Sequence, residues 1–394
     1  MIRCCVILSI LVSFVNCKLN YVSSSDSDVN LDSYQLIGKY GYRPEKHLVE
    51  TEDGYIVSLF RIVGNGPPVL LAHGLADSSD SWLVLGPTMS LAYQLSDAGF
   101  DVWLYNSRGN KYSRGNTRDF SEKEYWDFSF EEMGTKDMPA CIDYILRVTS
   151  REKITYVGFS QGTTIFFVMC SSKPEYNEKI NHAVLLAPVA WVNTIEYPFI
   201  NFLGRYLKFL IVMFDNLGIH EIFTENVRRT RQGIECNKSV LVCDFDYYIN
   251  FGVTNFNNLA LNKIDIIDSH IPAGASTKTF AHFIQGYRDK QFQKFDYGFG
   301  KNFALYSSIY PPQYNVTKVT VPLSLIASES DKLSDIEDVK ILVSKLRTIK
   351  RFSVFNKTTD FTHIEFAYGK RVKELVNNPV TNILLEEIKK SNET

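Results

Sequence analysis

The sequence predicts an α/β fold: a mostly parallel central sheet with helices on both faces and an inserted, mainly helical cap. Three observations carry this expectation. Short apolar, β-branched runs alternate with helical periodicity between residues 69 and 186, and again between residues 321 and 390. That is the pattern of strands joined by crossover helices. The strand runs are continuously apolar, as strands covered on both faces are. Between the two blocks, residues 190–310 replace the alternation with helical, aromatic segments carrying Phe199, Phe202, Tyr206, Phe209 and Phe214. The expected organisation is a signal peptide at 1–17, the first part of the core at 18–189, a cap or lid at 190–310, and the second part of the core at 311–394.

Met1-Ile2-Arg3 precedes an apolar run over 4–15, which is too short to span a bilayer. Cleavage is expected near Cys17-Lys18, and no later stretch of twenty residues is free of charge, so the mature chain is expected to be soluble and in the secretory pathway. Residues 18–32 are rich in Ser and Asp and are expected to form a mobile N-terminal stretch. Residues 46–62 predict a hairpin turning at Glu52-Asp53-Gly54. Further strands are expected at 69–72, 100–105, 154–157, 182–186, 321–327 and 351–355, with helices at 91–97, 129–148, 165–170, 335–346 and 379–390. Right-handed crossovers bring the loops that follow the strands to one edge of the sheet, where ligands bind.

Gly158-Phe159-Ser160-Gln161-Gly162 lies between a predicted strand and a predicted helix. A serine on such a turn is pushed out above the sheet, and the flanking glycines let neighbouring backbone come close. It then needs a base, and the base needs an orienting carboxylate. In this sheet type the chain order is Ser, acid, His. Ser160, Asp331 and His363 satisfy that order, each just past the end of a predicted strand. Asp335 and Asp338 compete with Asp331, although Asp335 suits a helix N-cap and Asp338 falls inside that helix. His47 and His182 are expected to precede strands, and His220, His270 and His282 fall in the cap. The backbone N–H groups of Gln161 and Leu75 are the expected donors to an oxyanion. His73 is expected to shape the loop that carries Leu75.

Net charge is −2 with no long run of one sign, so neither nucleic acid nor an electrostatically bound membrane is an expected partner. Aromatic residues reach 13 %, with 27 Phe and 22 Tyr, which suits a large core or a site for apolar ligands. There is no H-E-x-x-H, no C-x-x-C and no nucleotide-binding glycine loop, so no metal and no cofactor is expected. Cys236 and Cys243 lie close together in a polar segment and are expected to form a disulfide, for which the chain-entropy account gives roughly 2–3 kcal/mol. Cys141 and Cys170 are expected to be buried thiols. N-x-S/T acceptors for glycosylation stand at Asn237, Asn315, Asn356 and Asn392.

Taken together, many stretches resemble the acid lipase family, which includes gastric and lysosomal acid lipases and insect lipases. They include Gly41-Tyr42, Thr51-Glu-Asp-Gly-Tyr55, His73-Gly-Leu75, Asp101-Val-Trp-Leu104, Asn106-Ser-Arg-Gly-Asn110, Phe128-Ser-Phe130, Ser160-Gln-Gly-Thr-Thr164, Leu186-Ala-Pro-Val-Ala190, Pro272-Ala-Gly-Ala-Ser276 and Phe295-Asp-Tyr-Gly298. The resemblance implies an α/β-hydrolase core with a lidded cap, secretion or lysosomal delivery, and hydrolysis of triacylglycerols or sterol esters at an oil–water or membrane interface. Three positions depart from the family's usual pattern. Phe159 stands where the family has His, Ser328-Glu-Ser-Asp331 where it has Gly-Gly-Asn-Asp, and Glu365 where it has Asp. A soluble carboxylesterase and a non-catalytic lipid-binding relative are the competing readings. Residues 197–217 form an apolar segment broken by Arg205 and Lys208. It reads either as a buried cap helix with two cations at the surface, or as a lid helix presenting Phe202 and Leu203 to lipid.

Overall fold

The computed structural model describes residues 27–195, 198–225 and 252–393. The predicted signal peptide at 1–17, Asn237, Cys236 and Cys243 lie outside the described residues. The strands are β1 (Pro44–Glu50), β2 (Tyr55–Ile62), β3 (Pro68–Ala72), β4 (Asp101–Tyr105), β5 (Gly115–Asn116), β6 (Ile154–Phe159), β7 (Ile180–Leu186), β8 (Glu221–Ile222), β9 (Ala275–Ser276), β10 (Leu323–Ser328) and β11 (Ile349–Phe355). The main helices are α1 (Ser33–Lys39), α2 (Leu91–Asp97), α3 (Met138–Thr149), α4 (Gln161–Ser172), α5 (Pro198–Asn216), α6 (Ile264–His270), α7 (Thr277–Asp289), α8 (Phe299–Tyr306), α9 (Ile336–Lys345) and α10 (Asn378–Glu393).

The large sheet runs β1-β2-β4-β3-β6-β7-β10-β11, with β5 beside β2. The pairs β1–β2 and β2–β4 are antiparallel, and every pairing from β4 through β11 is parallel. Continuous apolar strands follow from the two-residue period of a strand. Val69 and Leu71 of β3, and Val102 and Leu104 of β4, enter the core on one face. Their neighbours Leu70 and Ala72, and Trp103 and Tyr105, enter the core on the other. Helices α1, α2 and α10 cover the first face and α3, α4 and α9 the second. Fully burying one such aliphatic side chain contributes about 1.5–3 kcal/mol. Cys141 and Cys170 are free thiols inside the second core, and burial pushes both thiols up.

Three expectations need correction. Residues 27–32 are built into the fold, because Asp28 is buried and bonds Lys39 and Tyr40, and Asp32 caps α1 through Gln35. The sequence reading passed over α1 because its seven residues show too little periodicity. His47 and His182 lie within β1 and β7, where they bond Tyr144 (3.0 Å) and Ser324 (2.9 Å). The elbow strand continues to Phe159 and the helix after it starts at Gln161.

The contacts of α5 separate the two readings of that helix. Its Leu203, Leu207 and Leu210 pack against Ala281 and Ile284 of α7 and against Phe295, with Phe202 half-buried at the same contact. The spacing i, i+4, i+7 explains this inner face. Phe202 and Leu203 therefore do not face outward. Tyr206, Phe209 and Val212 do, at 45, 65 and 60 % exposure. Arg205 and Lys208 are also at the surface.

The loop after β4 is pinned from beneath. Arg108 is 1 % exposed. Its Nε donates to Asp137 (2.8 Å), its terminal nitrogens donate to Asp53 (2.8 and 3.0 Å), and its guanidinium lies 4.0 Å from the Tyr55 ring centroid. Burial works against the Asp53 carboxylate, but the Arg108 bonds outweigh it and hold the carboxyl well below its ordinary range. One side chain thus joins the β1–β2 turn, the β4 loop and the approach to α3. Replacing Arg108 with Met leaves the buried Asp137 and the half-buried Asp53 without the cation they share. A loss of about 3–5 kcal/mol in unfolding free energy is expected, measured by urea titration with and without the substitution. A loss under about 1 kcal/mol would show that the network does not hold the loop.

Candidate active site

The site begins where β6 turns into α4. Ser160 has φ 52° and ψ −116°, outside the regions an ordinary side chain favours. Holding a non-glycine residue there costs about 1–3 kcal/mol and needs close packing around it. The glycines supply that packing. A Cβ on Gly162 would lie 2.3 Å from the Ala72 carbonyl oxygen, and one on Gly158 would lie 3.0 Å from the Gly162 backbone. Thr163 and Thr164 tie the first turn of α4 to the chain leaving β7. The Val189 N–H donates to Thr163 Oγ1 (2.8 Å) and Thr164 Oγ1 donates to the Val189 carbonyl (2.8 Å).

His363 follows β11 and reaches the serine. The Ser160 hydroxyl is 2.7 Å from His363 Nε2, and His363 Nδ1 is 2.8 Å from Asp331 Oδ2. A nitrogen against a carboxylate carries the proton, so Nδ1–H donates to Asp331 and Nε2 is left to accept from Ser160. The other Asp331 oxygen accepts the N–H groups of Leu333 and Ser334, both at 2.9 Å. The competing carboxylates are engaged elsewhere. Asp335 caps α9 through the Glu337 N–H (2.9 Å), and buried Asp338 accepts from the N–H and hydroxyl of Thr194 (2.9 and 2.8 Å). His282 is locked between Ser129 and the Gln293 carbonyl, and burial pushes it down to about 3.

The loop after β3 forms the other wall. His73 Nδ1 donates to the Gly74 carbonyl (2.7 Å), and its Nε2 accepts the Ser107 N–H (3.1 Å). Burial pushes this imidazole down to about 4, which keeps it neutral and fixes that tautomer. A Cβ on Gly74 would lie 3.4 Å from Ser160 Cβ, so the Gly74–Leu75 backbone runs beside the serine. Gln161 opens α4, ahead of the first hydrogen bond of that turn, from the Thr163 N–H to the Ser160 carbonyl (2.8 Å).

Three polar features of this region have partners that the sequence does not show, although Glu365 stands out there as a departure from the family's pattern. Asp80 is fully buried among Ser33, Tyr112, Lys111 and His270, and the last two hold its carboxyl well below the ordinary range against the effect of burial. Glu365 accepts the N–H and hydroxyl of Thr362 (both 2.8 Å) and so braces the turn that carries His363. The Tyr368 hydroxyl meets both oxygens of Asp77 at 3.0 Å. These partners lie far apart in the chain or on turns without periodicity, so no pattern marked them.

Above Ser160 and His363 opens a cavity of about 1090 Å³, its mouth included. Its walls are apolar: Val189, Val192, Ile200 of α5, Phe280 and Phe283 of α7, and Leu333. Phe159 lines it too, with its ring centroid 5.2 Å from that of His363.

The family described as the α/β hydrolase fold matches residues 67–367, and that described as a partial α/β-hydrolase lipase region matches residues 33–86. Lipase 1 of Drosophila melanogaster is 38 % identical over 365 residues, covering 91 % of this chain and 80 % of that protein. The lysosomal acid lipase/cholesteryl ester hydrolase of Homo sapiens is 35 % identical over 377 residues, covering 92 % of this chain and 93 % of its own. This chain belongs to the acid lipase family. The gastric triacylglycerol lipase of Rattus norvegicus, another acid lipase, is 35 % identical over 376 residues, covering 91 % and 93 %. Among solved structures, an esterase from Exiguobacterium antarcticum covers 88 % of the chain and all of its own, at a TM-score of 0.51 and 14 % identity. Naproxen esterase from Bacillus subtilis covers 90 % and 99 %, at a TM-score of 0.51 and 13 % identity. Those two show the fold alone. Membership of the acid lipase family places the chain among the carboxylic ester hydrolases.

Burial pushes the Glu365 carboxyl up to about 7. Its folded pKa exceeds the unfolded one, so its stabilisation is full below about pH 4.5 and is lost as pH rises through about 7. Glu365→Gln keeps an acceptor for Thr362 and cannot ionise. The variant is expected to lose less stability than the parent between pH 4.5 and 7.5, read from melting temperatures across that range. Parallel curves for the two proteins would count against a neutral buried Glu365.

Proposed function

We propose that the protein is a lipase that hydrolyses the carboxylic esters of neutral lipids, triacylglycerols or sterol esters, with Ser160 as nucleophile, His363 as general base and acid, and Asp331 as the orienting carboxylate. The observation that carries this reading is the hydrogen-bonded line Ser160–His363–Asp331 at the floor of an apolar cavity. In the proposed reaction His363 Nε2 takes the serine proton as Oγ attacks the ester carbonyl. The N–H groups of Gln161 and Leu75 stabilise the oxyanion, and the alcohol leaves with the proton returned by His363. Water then repeats the sequence on the acyl-enzyme. Asp331 holds the imidazole in the tautomer that leaves Nε2 free to accept. The apolar walls suit an acyl chain, whose burial contributes about 25 cal/mol per Å² of apolar surface removed from water.

The wider reading keeps the division 1–17, 18–189, 190–310 and 311–394, with the third segment as cap. It includes passage through the secretory pathway, to the outside or to the lysosome, and a disulfide between Cys236 and Cys243. Asn315 and Asn356 are exposed, which supports their use as glycosylation acceptors, with Asn237 and Asn392 as further candidates. Among the described residues no helix is long and apolar enough to cross a membrane. The lipid is then met at an interface, and the outward Tyr206, Phe209 and Val212 of α5 support contact there.

Two experiments test this. Ser160→Ala and His363→Gln should each lower turnover about 10⁴–10⁶-fold with the fold intact, and Asp331→Asn about 10⁴-fold. Assays on long-chain triacylglycerol, sterol ester and a short soluble ester, at acid and neutral pH, read the result. Ser160→Ala activity within tenfold of the parent would remove the assignment, and a milder effect for Asp331→Asn than for Asp338→Asn would move the acid. The second test concerns the interface. Phe209→Ser combined with Val212→Ser should reduce hydrolysis of emulsified lipid while sparing the short ester and the melting temperature. Leu203→Ser should lower the melting temperature and both activities, because that side chain faces the core. Equal loss on both substrates in the Phe209/Val212 pair would end the interfacial role of this face.

A further inference from the structure

The loop Gly74-Leu75-Ala76-Asp77 runs beside Ser160, and its middle residue, Ala76, sits in the left-handed region at φ 57°. Three backbone carbonyls of the loop are anchored: Gly74 accepts from His73 Nδ1 (2.7 Å), Ala76 from the Ala273 N–H (2.7 Å) and Asp77 from Asn110 Nδ2 (3.3 Å). The Asp77 side chain adds an anchor toward the base. Asp77 and Tyr368 are 6 and 1 % exposed, and both line the cavity with Ser160 and His363. Tyr368 ends the short helix Glu365–Tyr368, which follows directly from His363. Its hydroxyl sits 3.0 Å from each carboxyl oxygen of Asp77, and the Ser78 N–H donates to one of them (2.7 Å). The contact thus joins the loop beside the nucleophile to the element that carries the base.

We propose that the Asp77–Tyr368 pair is a positioning clamp that holds the loop bearing the Leu75 N–H in register with His363. The proposal rests on the Ser160–His363–Asp331 reading. Neither side chain reacts; they act through the backbone donor on one side and the imidazole on the other. A loop carrying an oxyanion donor matters to the transition state more than to substrate binding, so the clamp acts on kcat.

The surroundings of Asp77 decide when the clamp is intact. Among the described residues no cation pairs with it. Asp80 lies near with a retained negative charge, and Lys111 and His270 are bonded to that neighbour. Tyr368 faces it from the His363 turn, and His363 lies on the same cavity. Burial dominates and, with Asp80, pushes the Asp77 carboxyl up to about 7; the bonds from Ser78 and Tyr368 and the charge of Lys111 pull the other way. Below that pH the pair is neutral and comfortable in an apolar wall. Above it a buried carboxylate remains with two donors and seeks water, which loosens the loop.

The test uses the full-length protein, a short soluble p-nitrophenyl ester from pH 4 to 9, and an alkyl fluorophosphonate that labels the reactive serine. Tyr368→Phe should lower kcat about tenfold with KM within twofold, short of the 10²–10³ seen when an oxyanion donor is removed outright. Asp77→Asn keeps an acceptor for Tyr368 and cannot ionise. It should lose less kcat than Tyr368→Phe at pH 5, and, in a Glu365→Gln background that removes the other carboxyl titrating near pH 7 on this element, the fall in kcat expected on passing through about pH 7 should be absent. A change in KM alone, an unchanged kcat in Tyr368→Phe, or an alkaline fall retained in Asp77→Asn in that background overturns the clamp. Where Tyr368→Phe fails to fold, the pH profile of Asp77→Asn in that background decides alone. If the parent takes no phosphonate at Ser160, or Ser160→Ala still turns over, the underlying site reading has failed and the clamp goes with it.

Discussion

The structure depends on one close approach, that of the first turn of α4 to the end of β3. Gly162 lies so near the Ala72 carbonyl that no side chain fits between them. This contact pushes the start of the helix against the sheet and forces Ser160 into its strained conformation. The strain persists because Thr163 and Thr164 bind the chain leaving β7, and the Ser160 N–H donates to the Leu186 carbonyl (3.1 Å). The same turn places the serine hydroxyl within reach of His363 Nε2 (2.7 Å), so the position of Ser160 is set by backbone packing.

Around that point the protein separates two environments. Beneath the loops lie charged networks, Arg108 with Asp53 and Asp137, and Asp80 with Lys111 and His270. Each replaces the water that a loop would otherwise need for its buried polar groups, and each joins segments distant in the chain. Above the loops the cavity walls are aliphatic and aromatic, so an acyl chain meets almost no group that must be desolvated. Phe159 belongs to this upper environment. Against the imidazole of His363 it offers a ring face and no charge.

Much of this was legible in the sequence, for identifiable reasons. Strands buried on both faces leave unbroken apolar runs, so the strands of the parallel part of the sheet could be read to within two residues at each end. Ser160 was marked by its glycines, and His363 and Asp331 by chain order and by their places after strands. Asp331 stood ahead of Asp335 and Asp338 in the sequence, because Asp335 suits a helix N-cap and Asp338 falls inside that helix, and of the three it is Asp331 that bonds His363. Asp77 and Tyr368 stand 291 positions apart and carry no local signature. Which face of α5 turns outward stayed open between two readings for a different reason. The helix is apolar on both sides, so periodicity showed that a helix exists but not which side meets α7. Short α1 escaped for want of enough turns to show a period.

The burial of Cys141 and Cys170 has a consequence for disulfide exchange. They are two of the seven cysteines in the sequence. Cys141 lies on α3 and Cys170 on α4, both turned into the core behind the sheet, and thiols there do not ionise readily. Thiolate is the species that attacks a disulfide. In the folded chain these two thiols are therefore withheld from disulfide exchange, and packing rather than a redox catalyst keeps them reduced.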